Sequence, residues 1–271
     1  MTNESVSNGR RLNFWSFVTG AAVGVLGGLM GLGGAEFRLP LLVAFFSLIT
    51  LEAIIVNLVV SLVTVLVSLV FRSNTVGLAA ILSNWTLIAI LLTGTLAGAY
   101  HGARIAGRIK EKWLDLAVMV LLAGLGALLV SEPFLSFSRE PLFDSGSAGI
   151  TAGIGAGYVI GVISSLLGVA GGELLIPTFM LLFGVEIKTA GSLALAVSFP
   201  TLIVGILKYR ADRKTEVVGR RRAFVLFMAA GSVIGAYCGS RLLGLVSSEF
   251  LSVFLGILLF VAAIKIFYSN R

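Results

Sequence analysis

Two short stretches carry most of the chemistry open to this sequence: Gly31-Leu32-Gly33-Gly34-Ala35-Glu36 and Gly168-Val169-Ala170-Gly171-Gly172-Glu173. Each interrupts an apolar run with glycines, and each is followed by a second apolar run. A glycine break leaves backbone amides without helical partners, and the helix that follows starts with the positive end of its dipole at the break. That combination suits an anion. The residues placed to bind one are Gly33, Gly34, Ala35, Glu36 and Arg38 in the first segment and Gly171, Gly172 and Glu173 in the second. The competing use of such glycines is close helix packing, because Gly24, Gly27, Gly28 and Gly31 also form small-xxx-small spacings.

Glu36 and Glu173 have two roles open to them. A carboxylate in the first turn of a helix stabilises it through the free amides there, and a carboxylate within a membrane, costly to bury, is a candidate for proton coupling. Arg38, matched by Leu175 in the second segment, either draws in anions or neutralises Glu36. Further on, Asn57, Ser61 and Thr64 recur at i, i+4 and i+7 and share one helix face. Ser198 and Thr201 repeat the last two positions. These side chains either line a polar path for the anion or bond helix to helix. Pro200 removes an amide, freeing the Ala196 carbonyl or bending its helix. His101, the sole histidine, reads as an interfacial side chain, and Cys238, the sole cysteine, as a buried small residue. No metal site, cofactor or catalytic constellation is expected, and the chain is not read as an enzyme. A nucleotide-binding glycine loop is excluded because no alternating strands and helices surround these glycines.

What must position these residues is set by composition. Of 271 residues, 58% are hydrophobic and only 12% charged, with a mean hydropathy of +1.05. A soluble globule of this size cannot hide so much apolar side chain, and a disordered chain has the opposite composition. An all-α polytopic membrane protein remains. The net charge of +7 invites a nucleic-acid reading, which the distribution of charge removes. Its densest stretch, residues 208–222, holds seven basic and two acidic residues and is explained by topology and anionic lipid headgroups.

The chain is also one unit written twice. At an offset of 137 residues, Gly24, Leu29, Gly31, Gly34, Glu36 and Pro40 fall on Gly161, Leu166, Gly168, Gly171, Glu173 and Pro177. Ser61 and Thr64 fall on Ser198 and Thr201, and Gly94, Gly98, Gly102 and Arg104 on Gly231, Gly235, Gly239 and Arg241. The first half holds apolar runs at Phe14–Gly31, Phe37–Leu48, Leu51–Phe71, Ala80–Ala103 and Trp113–Val130. The second half repeats them at Gly149–Gly168, Leu174–Phe183, Thr189–Leu207, Ala223–Ser240 and Phe250–Phe267. Crossing a bilayer takes about 20 helical residues, so the second run of each half is too short to cross and forms a glycine-broken hairpin with the first.

If each hairpin returns the chain to its own side, both termini, Arg104–Lys112 and Lys208–Arg222 share one side. That side then carries 15 of the 20 basic residues; Arg72, Arg139, Lys188 and Arg241 lie opposite, and Arg38 lies within the membrane. The positive-inside rule makes the basic side cytoplasmic. A hairpin plus three crossings is an odd number, so the second copy is inverted. The predicted organisation is a cytoplasmic N-terminal segment (1–13), a first transmembrane repeat (14–130), an external connecting loop (131–148) and a second, inverted repeat (149–271). Inverted repeats with interrupted helices point to a secondary transporter whose site lies where the repeats meet.

The paired Gly-x-Gly-Gly-x-Glu-type segments, each followed by a proline (Pro40, Pro177), resemble the TauE/SafE family of sulfite and organosulfonate exporters, also called the toluene sulfonate uptake permease family. The resemblance covers essentially the whole chain and falls most directly on Gly33, Gly34, Glu36 and Pro40 and on Gly171, Gly172, Glu173 and Pro177. It departs at Ala170, which stands where the first copy has Gly33. It implies a multi-pass protein of the cell inner membrane that moves sulfite, sulfoacetate or other C2 sulfonates, more often outward than inward. The partners implied are that anion and the lipid bilayer, with a homodimer as a further option and no nucleic acid. An anion channel of the same architecture and an uptake permease for organosulfonates or thiosulfate are the alternatives.

Overall fold

The computed structural model describes residues 3–105, 146–211 and 216–247, with scattered positions between 123 and 142 and between 249 and 264. Among the described residues there is no strand. The helices are α1 (Asn3–Met30), α2 (Ala35–Ala44), α3 (Thr50–Arg72), α4 (Leu78–Ser83), α5 (Trp85–Ile105), α6 (Ser147–Leu167), α7 (Gly172–Phe183), α8 (Ile187–Ala211), α9 (Glu216–Arg220) and α10 (Arg222–Leu242). A π-helical stretch, Ser73–Gly77, joins α3 to α4. Stretches of α1, α3, α5, α6, α8 and α10 are long and apolar enough to cross a membrane. With 12 residues α7 is too short to do so, and α2 has 10. The architecture is that of an all-α polytopic membrane protein. The expected spans Trp113–Val130 and Phe250–Phe267 and the loop 131–148 lie mostly outside the described residues.

One expected span starts differently. The run Ala80–Ala103 reads as a single helix, yet α4 ends at Ser83 and α5 begins at Trp85. Asn84 causes the break: its side-chain amide donates to Ala80 O at 2.8 Å, the carbonyl that its own backbone amide would use in a continuing helix. That backbone amide turns instead to Ile81 O at 3.2 Å.

In lipid, apolar side chains gain little by moving from tails to protein, so helices associate through close packing. Glycine ladders supply it. Gly231, Gly235 and Gly239 of α10 lie against the carbonyls of Phe17, Ala21 and Val25 of α1, while Gly20, Gly24 and Gly28 lie against those of Met228, Ser232 and Ala236. The same ladder joins α5 to α6. Gly94, Gly98 and Gly102 meet the carbonyls of Ile154, Tyr158 and Val162, and Gly157 and Gly161 meet those of Leu91 and Thr95. Five of the six glycine contacts of α1 and α10 map onto those of α5 and α6 at the 137-residue offset; the sixth, Gly28 on Ala236, maps onto Ser165, whose Oγ donates to Ala99 O at 2.8 Å, so the repeat holds for partners as well as for residue types.

The ends of the helices show how the chain runs. Trp15 of α1 stacks edge-on to Phe45 just after α2, and Phe46 to Phe224 at the start of α10, with ring centroids 6.0 and 4.9 Å apart. The first hairpin therefore returns to the end of the bundle it left. At that same end Glu52 of α3 pairs with Arg220 of α9 at 2.7 Å. The second hairpin also returns, since Gly153 early in α6 lies against the Phe183 ring at the end of α7. The last turn of α1 lies beside Arg72, at the end of α3. Gly168, just past α6, lies against Ile54 near the start of α3. The two broken helices α1 and α6 thus run in opposite directions.

Candidate functional site: two glycine breaks around a buried arginine

The turn after each broken helix is made by equivalent glycines. Gly34 precedes α2 at φ 71°, ψ 14°, and Gly171 precedes α7 at φ 77°, ψ 2°. Only a residue without Cβ takes this left-handed conformation at little cost. The breaks meet each other at the centre of the molecule. A methyl group on Gly33 would stand 3.1 Å from Ala170 Cβ, and one on Gly172 would stand 2.7 Å from Leu32 Cα. Gly33 and Ala170 are offset partners, so the contact joins equivalent points of the two halves.

Irregular backbone at membrane depth needs hydrogen-bond partners from the protein. Asn57 of α3 supplies two of them, its Nδ2 donating to Ala35 O at 2.9 Å and to Gly168 O at 2.8 Å. One side chain therefore ties the first break to the second. On the other side Ser198 Oγ donates to Ala170 O at 2.7 Å, and Ser164 Oγ donates to Val169 O.

Arg38, fully buried on α2, is held by the face of α3 that the spacing of its polar residues defines. Its Nη1 donates to Asn57 Oδ1 at 3.3 Å and Ser61 Oγ at 2.9 Å, and its Nη2 to Thr64 Oγ1 at 3.2 Å and Ser232 Oγ at 3.4 Å. A buried guanidinium is costly unless its donors are used, and four neutral acceptors take bonds from its two Nη groups. In the second half the buried Leu175 takes its place, and Thr201 Oγ1 donates directly to Thr95 Oγ1 at 2.9 Å. Thr201 and Thr95 are the offset partners of Thr64 and Ser232. Where the first half holds a charge between two hydroxyls, the second closes the gap with a hydrogen bond.

Of the remaining candidates, Gly33, Gly34, Ala35, Gly171, Gly172, Ser198 and Thr201 are all buried at or beside the breaks. Glu173 is buried in the first turn of α7 with 6% of its surface exposed. The side chains of Glu36 and Pro40 lie outside the described residues, and with them the expected Arg38–Glu36 pair. His101 is exposed, its Nδ1 3.5 Å from Tyr158 OH. Cys238, expected to be buried, is exposed. It falls outside the arc of α10 formed by the buried Gly235, Ala236, Gly239 and Ser240.

Arg72 is the residue that sequence reasoning misplaced. Its position at the end of an apolar run put it with the loop charges, but it is fully buried. Its Nη1 donates to Gly28 O at 3.1 Å and Leu29 O at 2.7 Å, its Nη2 to Lys188 O at 2.7 Å and its Nε to Ser192 Oγ at 3.2 Å. It satisfies carbonyls that the end of α1 leaves without helical partners. The available signal was position: Arg72 follows Asn57, Ser61, Thr64 and Ser68 on the same helical face.

A polytopic helical protein whose two broken helices clasp each other around polar side chains is built as membrane transporters are. Residues 16–266 match the sulfite exporter TauE/SafE family, and the chain belongs to it. The chain is also similar to the probable membrane transporter protein YunE of Bacillus subtilis (strain 168). The two are 23% identical over 271 residues, an alignment covering 93% of this chain and 96% of that one. No solved structure matches the chain.

Proposed function

We propose that the protein is a secondary carrier that exports small sulfur-containing anions, such as sulfite, sulfoacetate or other C2 sulfonates, across the cell membrane by alternating access. One observation carries this reading: the two glycine breaks touch each other beside the buried Arg38, joined by Asn57. A sulfite or sulfonate group offers three oxygens to a guanidinium, helix-start amides and hydroxyls, and bonds between ionised partners are about twice as strong as neutral ones. Gly33, Gly34, Ala35, Glu36, Arg38, Asn57 and Ser61 would face it from the first half, with Gly171, Gly172, Glu173, Ser198 and Thr201 from the second.

Gly33 and Ala170 are in close contact, so an anion passing between the breaks at that point has to part them. That favours a carrier over a channel. The halves that move are inverted-topology repeats, a reading supported by the offset shared by the helix contacts and by the opposite courses of α1 and α6. The basic end of the bundle, with both termini, faces the cytoplasm by the positive-inside rule. Glu36 or Glu173 couples movement to protons.

Purified protein in liposomes is expected to move labelled sulfite or sulfoacetate with saturable kinetics when a pH gradient is imposed. Absence of flux across sulfite, thiosulfate, sulfoacetate and taurine would end the proposal. Flux that fails to saturate would assign the fold to a channel instead.

A further inference from the structure

The polar face of α3 does not stop at the breaks. Asn57, Ser61, Thr64, Ser68 and Arg72 follow one another at intervals of four, three, four and four residues. At 100° per residue they keep to one stripe of the helix, about 22 Å long. All five are fully buried. Arg38 bonds the stripe at Ser61 and Thr64, and Arg72 ends it, so the positions that carry the two guanidiniums are about 12 to 16 Å apart along the helix by its rise. Between them stands Ser68, whose Oγ has no hydrogen-bond partner among the described residues. A serine in a membrane helix ordinarily returns its hydroxyl to the carbonyl four residues back, as Thr64 does to Val60 O at 2.9 Å.

We propose that this stripe is the path by which the anion passes between the breaks and the end of the bundle where α3 finishes. Arg72 is its second cationic station and Ser68 the hydroxyl between the two. The inference rests on the carrier reading given above. The four hydrogen-bond acceptors that Arg72 holds, three carbonyls and the Ser192 hydroxyl, are all neutral, and Glu186 acts on it through the field of its charge, so an oxyanion arriving there replaces neutral bonds with charge-assisted ones. Those same carbonyls belong to the end of α1 and the start of α8, and their release frees the first broken helix at that end. The closed path is therefore sealed by the residue that later holds the passing ion. Successive sites of moderate strength let an ion enter and leave. The equivalent face of α8 runs through Ser198, Thr201, Gly205 and Tyr209 and carries no charge, so only one of the two half-paths has a cationic station.

The test uses the full chain in liposomes with Cys238→Ser as background, because that thiol is exposed. Ser68→Cys is exposed to two thiosulfonate reagents, the anionic sulfonatoethyl form, itself a C2 sulfonate, and the cationic trimethylammonium form. Rates are normalised to those with a free thiol. The expected result is modification by the anion about tenfold faster than by the cation, within the range that a charged cleft gives. Sulfoacetate should slow it. Arg72→Gln should abolish the preference and Arg72→Lys should keep it, while the lipid-facing control Val70→Cys should react with neither. A Ser68→Cys thiol inert to both reagents, or equally reactive to both, overturns the path. Preference for the anion in a protein that moves none of sulfite, thiosulfate, sulfoacetate and taurine would leave the path standing and remove the carrier reading instead.

Discussion

Arg72 and Tyr209 make the same bond at opposite ends of the bundle. Arg72 Nη1 donates to Gly28 O and Tyr209 OH to Ser165 O, both at 3.1 Å. Donors and acceptors alike are 137 positions apart, and each bond fastens the last turns of a broken helix to the end of a spanning one. The two fastenings differ in strength, because Arg72 also holds Leu29 O and Lys188 O. A buried carbonyl left unpaired costs about 1–3 kcal/mol. Tyr209→Phe, which keeps the ring, is therefore expected to cost about 1 kcal/mol. Arg72→Met, which strands the Gly28 and Leu29 carbonyls at the end of α1, is expected to cost about 2 kcal/mol or more. Melting in detergent micelles checks this, and equal losses in the two variants would contradict the asymmetry.

Replacing Arg38 by the residue its own counterpart uses separates charge from fold. Leu175 fills the equivalent place while Thr201 bonds Thr95 directly. In Arg38→Leu, Thr64 and Ser232 are expected to close in the same way, so the protein should still purify as a folded species with its melting temperature lowered by only a few degrees. Anion flux, which loses its buried cation, is expected to fall at least tenfold, about 1.4 kcal/mol of binding. Wild-type flux in this variant would remove Arg38 from the site.

The sequence makes the scaffold legible because its signals are one-dimensional. Apolar run length gives the six spans in α1, α3, α5, α6, α8 and α10, the short second run of each half gives the hairpins, and the offset of 137 residues pairs the glycine ladders before any contact is seen. The helical spacing of Asn57, Ser61 and Thr64 likewise defines a face. What spacing does not contain is what that face meets: that Arg38 reaches all three, or that the Asn57 amide reaches Gly168, 111 residues away, depends on how separate helices dock. Arg72 was hidden for a related reason. A charge at the end of an apolar run reads alike whether it emerges into a loop or turns inward onto the carbonyls of another helix. The break at Asn84 is illegible in the sequence because one side-chain bond to Ala80 O divides a run that is apolar on both sides of it.

The contact between the breaks makes a steric prediction. A methyl on Gly172 would stand 2.7 Å from Leu32 Cα and 3.0 Å from Leu32 O, backbone atoms that cannot swing aside. Gly172→Ala should push the two breaks apart, with a cost of about 1–3 kcal/mol for overpacking and a fall in flux. Gly155→Ala makes the control, since nothing lies within 4 Å of a methyl there, and it should melt and transport as the wild type does. Wild-type behaviour in Gly172→Ala would show that the breaks are not in contact in the membrane.

The carboxylates allow the coupling question to be divided cleanly. Glu173 lies buried in the first turn of α7, where an anionic side chain stabilises the helix start by about 0.3–1 kcal/mol. Were this its only role, Glu173→Gln would lower the melting temperature slightly and leave the response to a pH gradient intact. Coupling makes a different demand, because a side chain that cannot ionise cannot exchange a proton between the two faces of the membrane. Glu173→Gln or Glu36→Gln is then expected to retain exchange of labelled for unlabelled anion across the liposome wall while losing accumulation driven by the gradient. Exchange serves as the internal control, since a misfolded variant loses both. A double variant that still accumulates anion against its gradient to the wild-type level would exclude both glutamates as the coupling group.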